Sequence, residues 1–226
     1  EFIKRTKDAS LRDSIKRGIE FNILNDRGGN DLDRVQFAKV SWNKSLEGKT
    51  LKYWANSLGL EPSVENGAEL VIKAQLNGGA SAIFHAMDEK DVENIMKHPL
   101  TMIASDGRLV VPGDGHPHPR WYGTFPRVLG HFVREKKTLS LEEAVYKMSL
   151  LPAQTIGIKN RGLIKKGMYA DITIFDKNTI IDKATFESPH QYSEGIYYVL
   201  VNGAVAIDNG EFKNIKAGVV LKKNAP

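Results

Sequence analysis

The sequence predicts an α/β fold that gives way to an all-β tail. Three observations carry this. Two short apolar runs, Ala82-Ile83-Phe84 and Leu100-Thr-Met-Ile-Ala104, enclose a stretch with helical patterning opened by Asp88. That is a strand–helix–strand unit of the kind that makes parallel pairs. Amphipathic helical segments lie on either side of it, and beyond Gly157 the pattern turns to short strands separated by Gly, Asn and Asp.

Taken in order, the chain opens as a helix with Ile3, Leu11, Ile15 and Ile19 roughly on one face. Phe21-Asn-Ile-Leu24 reads as extended, Asn25–Asn30 as a turn cluster, and Arg34–Val40 as an alternating, half-buried strand. This predicts a small strand pair joined by a Gly-rich loop. The loop lacks Gly-Lys-Ser/Thr and has no helix directly behind it, so it does not read as a phosphate cradle. Helices follow over about Thr50–Leu58 and Asn66–Asn77, the second stopped by Gly78-Gly79. Asp88 caps a helix to about Lys97, with Asp91 in the place where a capping box has Glu or Gln. After the Leu100 strand, helices are expected over Pro126–Arg134 and from Ser140-Leu-Glu-Glu143 to Met148, with a further short turn at Pro152. In the tail, Gly162-Leu-Ile, Ile172–Phe175, Tyr197–Val201 and Ala204–Ile207 read as strands, and Asn202-Gly203 as a hairpin turn. Three segments result: residues 1–80, 81–157 and 158–226. Only the strands near 82–86 and 100–105 look parallel, and two strands cannot close a barrel.

With 226 residues, 41% hydrophobic and 26% charged, the composition is that of a globular protein with a sizeable core. No apolar stretch approaches the ~20 residues of a membrane span, and no signal peptide is visible. The net charge of +5 is mild, and the basic residues cluster only in pairs: Lys4-Arg5, Lys136-Lys137, Lys165-Lys166 and Lys222-Lys223. None is interleaved with stacking aromatics, so neither nucleic acid nor membrane is an expected partner. The absence of Cys rules out disulfides and thiolate metal sites within this chain and leaves a cytoplasmic location as the default. The start at Glu1, without Met and amid helix-like sequence, suggests a fragment or processed product.

Asp106 is the leading candidate for chemistry. It closes the apolar run and opens the turn Ser105-Asp106-Gly107. A carboxylate at the carboxyl end of a buried parallel strand sits where α/β barrels gather their active groups. Burial there costs several kcal/mol unless a metal, a cation or hydrogen bonds compensate. The competing reading is a turn Asp that caps the next helix. Twelve residues on comes His118-Pro-Arg-Trp-Tyr-Gly-Thr-Phe-Pro-Arg127. The pair His116-Pro117-His118 sits in a Pro-rich loop and not on a strand, which works against chelation. His85 reads as a hydrogen-bonded core histidine, and His98 and His131 as structural or exposed.

The run Met102–Gly107 followed by His118–Gly130 closely resembles the D-aminoacylase family, N-acyl-D-amino-acid deacylases of the amidohydrolase superfamily. The likeness continues through Val133-Arg-Glu135, Leu141–Val145, Lys147-Met148, Pro152-Ala153, Arg161-Gly162 and Lys166–Asp171 to Val201-Asn-Gly203. It spans residues 45–226, which look like the C-terminal half of such an enzyme. Residues 1–44 are compatible with the family's inserted segment. The resemblance implies the C-terminal part of a (β/α)8 amidohydrolase barrel with a small inserted α/β segment, the tail belonging to a β-sandwich. It implies zinc-dependent hydrolysis of N-acyl-D-amino acids to a carboxylate and a D-amino acid. Asp106 would be the general base and then acid, and a possible ligand of a second metal. Ser105, His118, Arg120 and Tyr122 would contact substrate, Arg120 through its planar fork. Arg120 and Arg127 could instead pair with acidic neighbours. The family's His-x-His and other zinc ligands have no counterpart here, so this chain alone is expected to be inactive. A missing barrel half, or another chain, is expected to cover an exposed apolar face. Two alternatives stay open: hydrolysis of another, cyclic, amide, or a non-catalytic binding module.

Overall fold

The structure is a computed structural model, and it describes residues 1–221; the Lys222-Lys223 pair lies outside the described residues. The chain forms two compact units. The first comprises Glu1–Asp88, Val110–His118 and Phe186–His190, and the second comprises Glu89–Leu109, Pro119–Thr185 and Gln191–Pro226.

The first unit starts with a single turn of helix, α1 (Phe2–Arg5), and the long helix α2 (Ala9–Asp26), whose N-terminus is capped by the Asp8 side chain accepting from the Leu11 N–H. Helix α2 runs through Phe21-Asn-Ile-Leu24, which corrects the extended reading of those residues. Ile19 and Ile23, four apart, face the core, whereas Leu11 and Phe21 are exposed. The spacing of four sets the buried stripe, and no Gly or Pro interrupts it between Gly18 and Gly28. Arg12 and Lys16 tie α2 to Glu69 and Glu65, and the Arg12 guanidinium holds the Glu69 carboxyl below its usual range.

Strand β1 (Val35–Lys39) is present with its core side buried. Its partner is β2 (Ser81–Phe84), in antiparallel register with Val35 opposite Phe84 and Phe37 opposite Ala82. The expected pairing of β2 with a parallel neighbour, and of β1 with residues 21–24, is therefore corrected. Helices α3 (Leu51–Ser57) and α4 (Val64–Leu76), capped by Thr50 and Ser63, pack on this sheet. Trp54 anchors the core between Phe37 and Trp42, at ring-centroid distances of 5.7 and 5.6 Å.

The second unit contains α5 (Glu89–Lys97), α6 (Arg120–Arg127), a π-helical stretch Val128–Glu135 continuous with it, α7 (Leu141–Met148) and α8 (Leu150–Ile156). Ser140 and Glu143 close a full capping box, and Gly157 ends α8 in the left-handed conformation. Strands β3 (Ile172–Phe175), β4 (Ile196–Val201), β5 (Ala204–Asp208) and β6 (Glu211–Phe212) form one antiparallel sheet in sequence order. Asn202 (φ 50°) and Gly203 (φ 83°) make the predicted two-residue turn between β4 and β5. Gly162-Leu-Ile is not a strand.

Residues 100–105 are not a ladder strand either. Leu100 is 75% exposed, and only Ile103 packs against the core built from Val128, Leu129, Phe132 and Ala144. A strand needs a neighbour's donors and acceptors. Among the described residues the backbone of this segment finds the end of α7 instead, with Ile103 N–H donating to the Lys147 carbonyl at 3.0 Å.

Gly195 leaves no room for a side chain in the second unit. Its φ is +85°, and a Cβ there would lie 2.5 Å from both N and Cα of Ile180, itself 1% exposed. Gly195→Ala is expected to cost about 2–4 kcal/mol, because backbone strain and a backbone clash add. A denaturant titration checks this, and wild-type stability would refute it.

Candidate functional site

The turn Ser105-Asp106-Gly107 docks on the first turn of α6. The Ser105 hydroxyl accepts the Gly107 N–H at 3.0 Å and lies 3.0 Å from Thr124 Oγ1. Thr124 has one hydroxyl proton and uses it on the Arg120 carbonyl at 2.9 Å, so Ser105 is the donor to Thr124. Gly107 owes its place to this contact. A Cβ on it would stand 3.0 Å from the Arg120 carbonyl oxygen and 3.2 Å from Trp121 Cα.

Asp106, between them, is 76% exposed, and its Oδ1 meets Arg120 Nε at 2.6 Å. This differs from the buried, strand-end carboxylate expected. Residues 100–105 form no strand, so Asp106 stands on an irregular segment, exposed and met by a cation. An exposed pair of this kind adds at most about 1 kcal/mol to stability, so its chief effect is to hold the carboxylate in one direction.

The base of the segment is held by a residue to which sequence reasoning assigns no role of its own. Lys147 is 4% exposed, and its Nζ donates to the carbonyls of His98 at 2.5 Å and Thr101 at 3.1 Å. Together with the Ile103–Lys147 bond, it fixes residues 98–103 to the end of α7. The signal was a Lys beside Met148 on a helix with an apolar face; nothing local marks it as inward-facing.

On the other side of α6, Gly123 allows Asp182 to approach, with a would-be Cβ 2.5 Å from Asp182 Cβ. Arg127 Nη1 pairs with Asp182 at 3.3 Å, the acidic partner anticipated for it. Tyr122 packs edge-on to Tyr192 at 5.5 Å, and its carbonyl accepts from Ser193 at 3.2 Å. Burial first, and then Tyr192, raise the Tyr122 hydroxyl above its ordinary pKa, so it stays a neutral donor. Ser105, Asp106, Arg120 and Tyr122 thus belong to one unit, three of them joined directly or through one bond.

His118 belongs to the first unit, edge-on to Phe186 at 5.0 Å. His85 meets the same ring at 4.5 Å and lies 3.1 Å from Gln36 Oε1, a hydrogen-bonded histidine as expected. His116 Nε2 donates to the Phe186 carbonyl at 2.6 Å. In the second unit, His131 bridges Glu89 and Glu135, whereas His98 Nδ1 accepts the Leu100 N–H. Among the described residues, no group of three or more His, Cys, Asp or Glu could hold a metal, and no helix is long and apolar enough to cross a membrane.

A family model described as amidohydrolase family matches residues 54–207. The chain belongs to the amidohydrolase family. Among curated relatives, the chain is 42% identical over 159 residues to an N-acyl-D-glutamate deacylase and 39% identical over 193 residues to an N-acyl-D-aspartate deacylase, both of Alcaligenes xylosoxydans xylosoxydans. Those matches cover 70% and 84% of the chain but 32% and 37% of the relatives. The chain therefore spans about a third of the length of the curated relatives it matches. Among solved structures, a D-aminoacylase mutant in complex with CuCl2 aligns at a TM-score of 0.73 and 38% identity, covering 89% of the chain and 39% of that structure. An N-acyl-D-glutamate deacylase from Bordetella bronchiseptica, complexed with zinc and a phosphonate mimic of the tetrahedral intermediate, aligns at 0.67 and 38%, covering 77% and 35%.

Proposed function

We propose that the chain supplies the acid–base part of a hydrolase of N-acyl-D-amino acids, with Asp106 as the proton carrier. The observation behind this is the exposed Asp106 carboxylate, aimed by Arg120 and framed by Ser105-Gly107 on α6, in a chain about 40% identical to deacylases. Asp106 would take a proton from the attacking water as the amide carbon becomes tetrahedral. It would then return it to the leaving amine nitrogen, whose departure completes a carboxylate and a free D-amino acid. A carboxylate reachable by solvent suits both transfers. Arg120 is proposed to take the substrate carboxylate through its planar fork. Tyr122 is proposed to donate its hydroxyl, and Ser105 to touch the substrate beside Asp106. His118 keeps a proposed substrate contact on sequence grounds alone.

The described residues do not fit a metal. On this reading zinc, present in the Bordetella structure, is held by ligands elsewhere in the protein. The three-part organisation at residues 80 and 157, the barrel and sandwich assignments, and a cytoplasmic location are likewise proposals from sequence. So is the covering of exposed apolar residues such as Phe21, Leu100 and Ile164 by another part of the protein.

The test is an amine-release assay on paired N-acyl-D- and N-acyl-L-glutamate, -aspartate and -leucine. The full-length gene product with zinc is expected to hydrolyse the D series selectively, and the 226-residue chain to hydrolyse neither. Deacylation by the 226-residue chain with stoichiometric zinc would place the ligands here and overturn the assignment. Release from cyclic amides alone would favour the second substrate class.

A further inference from the structure

The first unit carries a pocket of about 260 Å³, open to solvent on one side, between α2, α4 and the β1–β2 sheet. Ile19, Ile23, Val71, Ala74, Phe37 and Ala82 supply apolar walls. Its polar lining is Asn22, Gln75 and Arg27, all exposed and therefore at the solvent side. Arg27 is the one charged residue of the lining, and no carboxylate lines it. The guanidinium lies 4.6 Å from the Phe84 ring centroid, and among the described residues it makes no ion pair. The side chains of Asn22 and Gln75 likewise make no hydrogen bond among the described residues.

An apolar pocket with a few converging polar groups is the usual form of a small-molecule site. An engineered apolar cavity of about 150 Å³ already accepts benzene. At about 260 Å³ there is room for a longer apolar body, and the single cation at the rim selects the sign of the head group. The geometry points to a binding site for a small carboxylate with an apolar tail, of the size of a medium-chain fatty acid. The tail lies between α2 and the sheet, and the carboxylate meets Arg27, with the amides of Asn22 and Gln75 donating to it. An arginine already stacked on Phe84 is held in place before the ligand arrives, which reduces the ordering cost of binding. This site is separate from Asp106 and does not depend on the proposed hydrolysis.

Calorimetric titration of the full-length protein with octanoate, and with 1-octanol as the neutral control, tests it. Octanoate is expected to bind saturably and at least tenfold more tightly than octanol. Arg27→Gln is expected to bring octanoate down to the octanol level without altering the melting temperature. Ala82→Leu, which fills the cavity from β2, is expected to remove both. Equal affinity of wild type and Arg27→Gln for octanoate would overturn the proposal, because binding would then lie elsewhere. So would octanoate binding that survives Ala82→Leu, or no saturable binding by the wild type.

Discussion

Asp106→Asn in the full-length protein is expected to lower kcat by about 10²–10⁴-fold, the range that a positioned proton carrier contributes. Asn has nearly the same shape and keeps an oxygen that can accept from Arg120 Nε, so the turn and its docking on α6 should persist. The amide cannot take up a proton, so both transfers are lost together. Because Asp106 is 76% exposed, removal of its charge leaves no buried group unpaired, and the melting temperature should change by little. The signature is therefore a fall in kcat with KM and stability near wild type. Turnover within a few-fold of wild type would end the assignment. A parallel collapse in stability would instead make Asp106 a turn-forming residue.

Lys147→Met has the largest expected structural effect away from glycine. The Met side chain fills similar space without a donor, so the carbonyls of His98 and Thr101 lose a charged partner at once. Hydrogen bonds to charged groups are worth about 1.5–3 kcal/mol each. Thr101 is only half-buried and His98 is exposed, so water recovers part of that, and a net loss of about 1.5–3 kcal/mol is expected. In a domain of this size that lowers Tm by roughly 4–10 °C. Hydrogen exchange should quicken at Ile103, whose N–H binds the Lys147 carbonyl and depends on the same anchoring. Unchanged stability and exchange would show that the segment is held by other means.

What the sequence made legible follows from how local each cause is. The capping box at Ser140 and Glu143 and the Asn202-Gly203 turn act within a few residues, and both are present. The helices near 51–57 and 64–76 start one or more residues away from their predicted ends, because Thr50 and Ser63 set the caps. Phe21–Leu24 reads as extended because polar Asn22 and Asn25 disguise a helix whose stripe is set by Ile19 and Ile23. The pairing of β1 with β2 joins residues more than forty apart and leaves no mark on either run. Asp106 was legible as a site candidate from its Ser and Gly neighbours. Its exposure was not, since that depends on whether residues 100–105 find a strand to pair with. Gly107 was legible as a turn glycine, but its cause is the approach of the Arg120 carbonyl.

Phe186 bears on how the chain can fold. Its carbonyl accepts from Gln36, 150 positions earlier, and from His116, 70 positions earlier, while its ring meets His85 and His118. The first unit therefore borrows its last piece from late in the chain. On the ribosome, residues 1–88 emerge well before that piece exists, and loop closure over such spans is slow. The Gln36 side chain, 7% exposed in the finished fold, has Gly48 and His85 as partners within residues 1–88 and gains the Phe186 carbonyl only later. A nascent chain halted before residue 186 would hold β1, β2 and their helices without the contact that closes them, which makes synthesis order part of this unit's assembly.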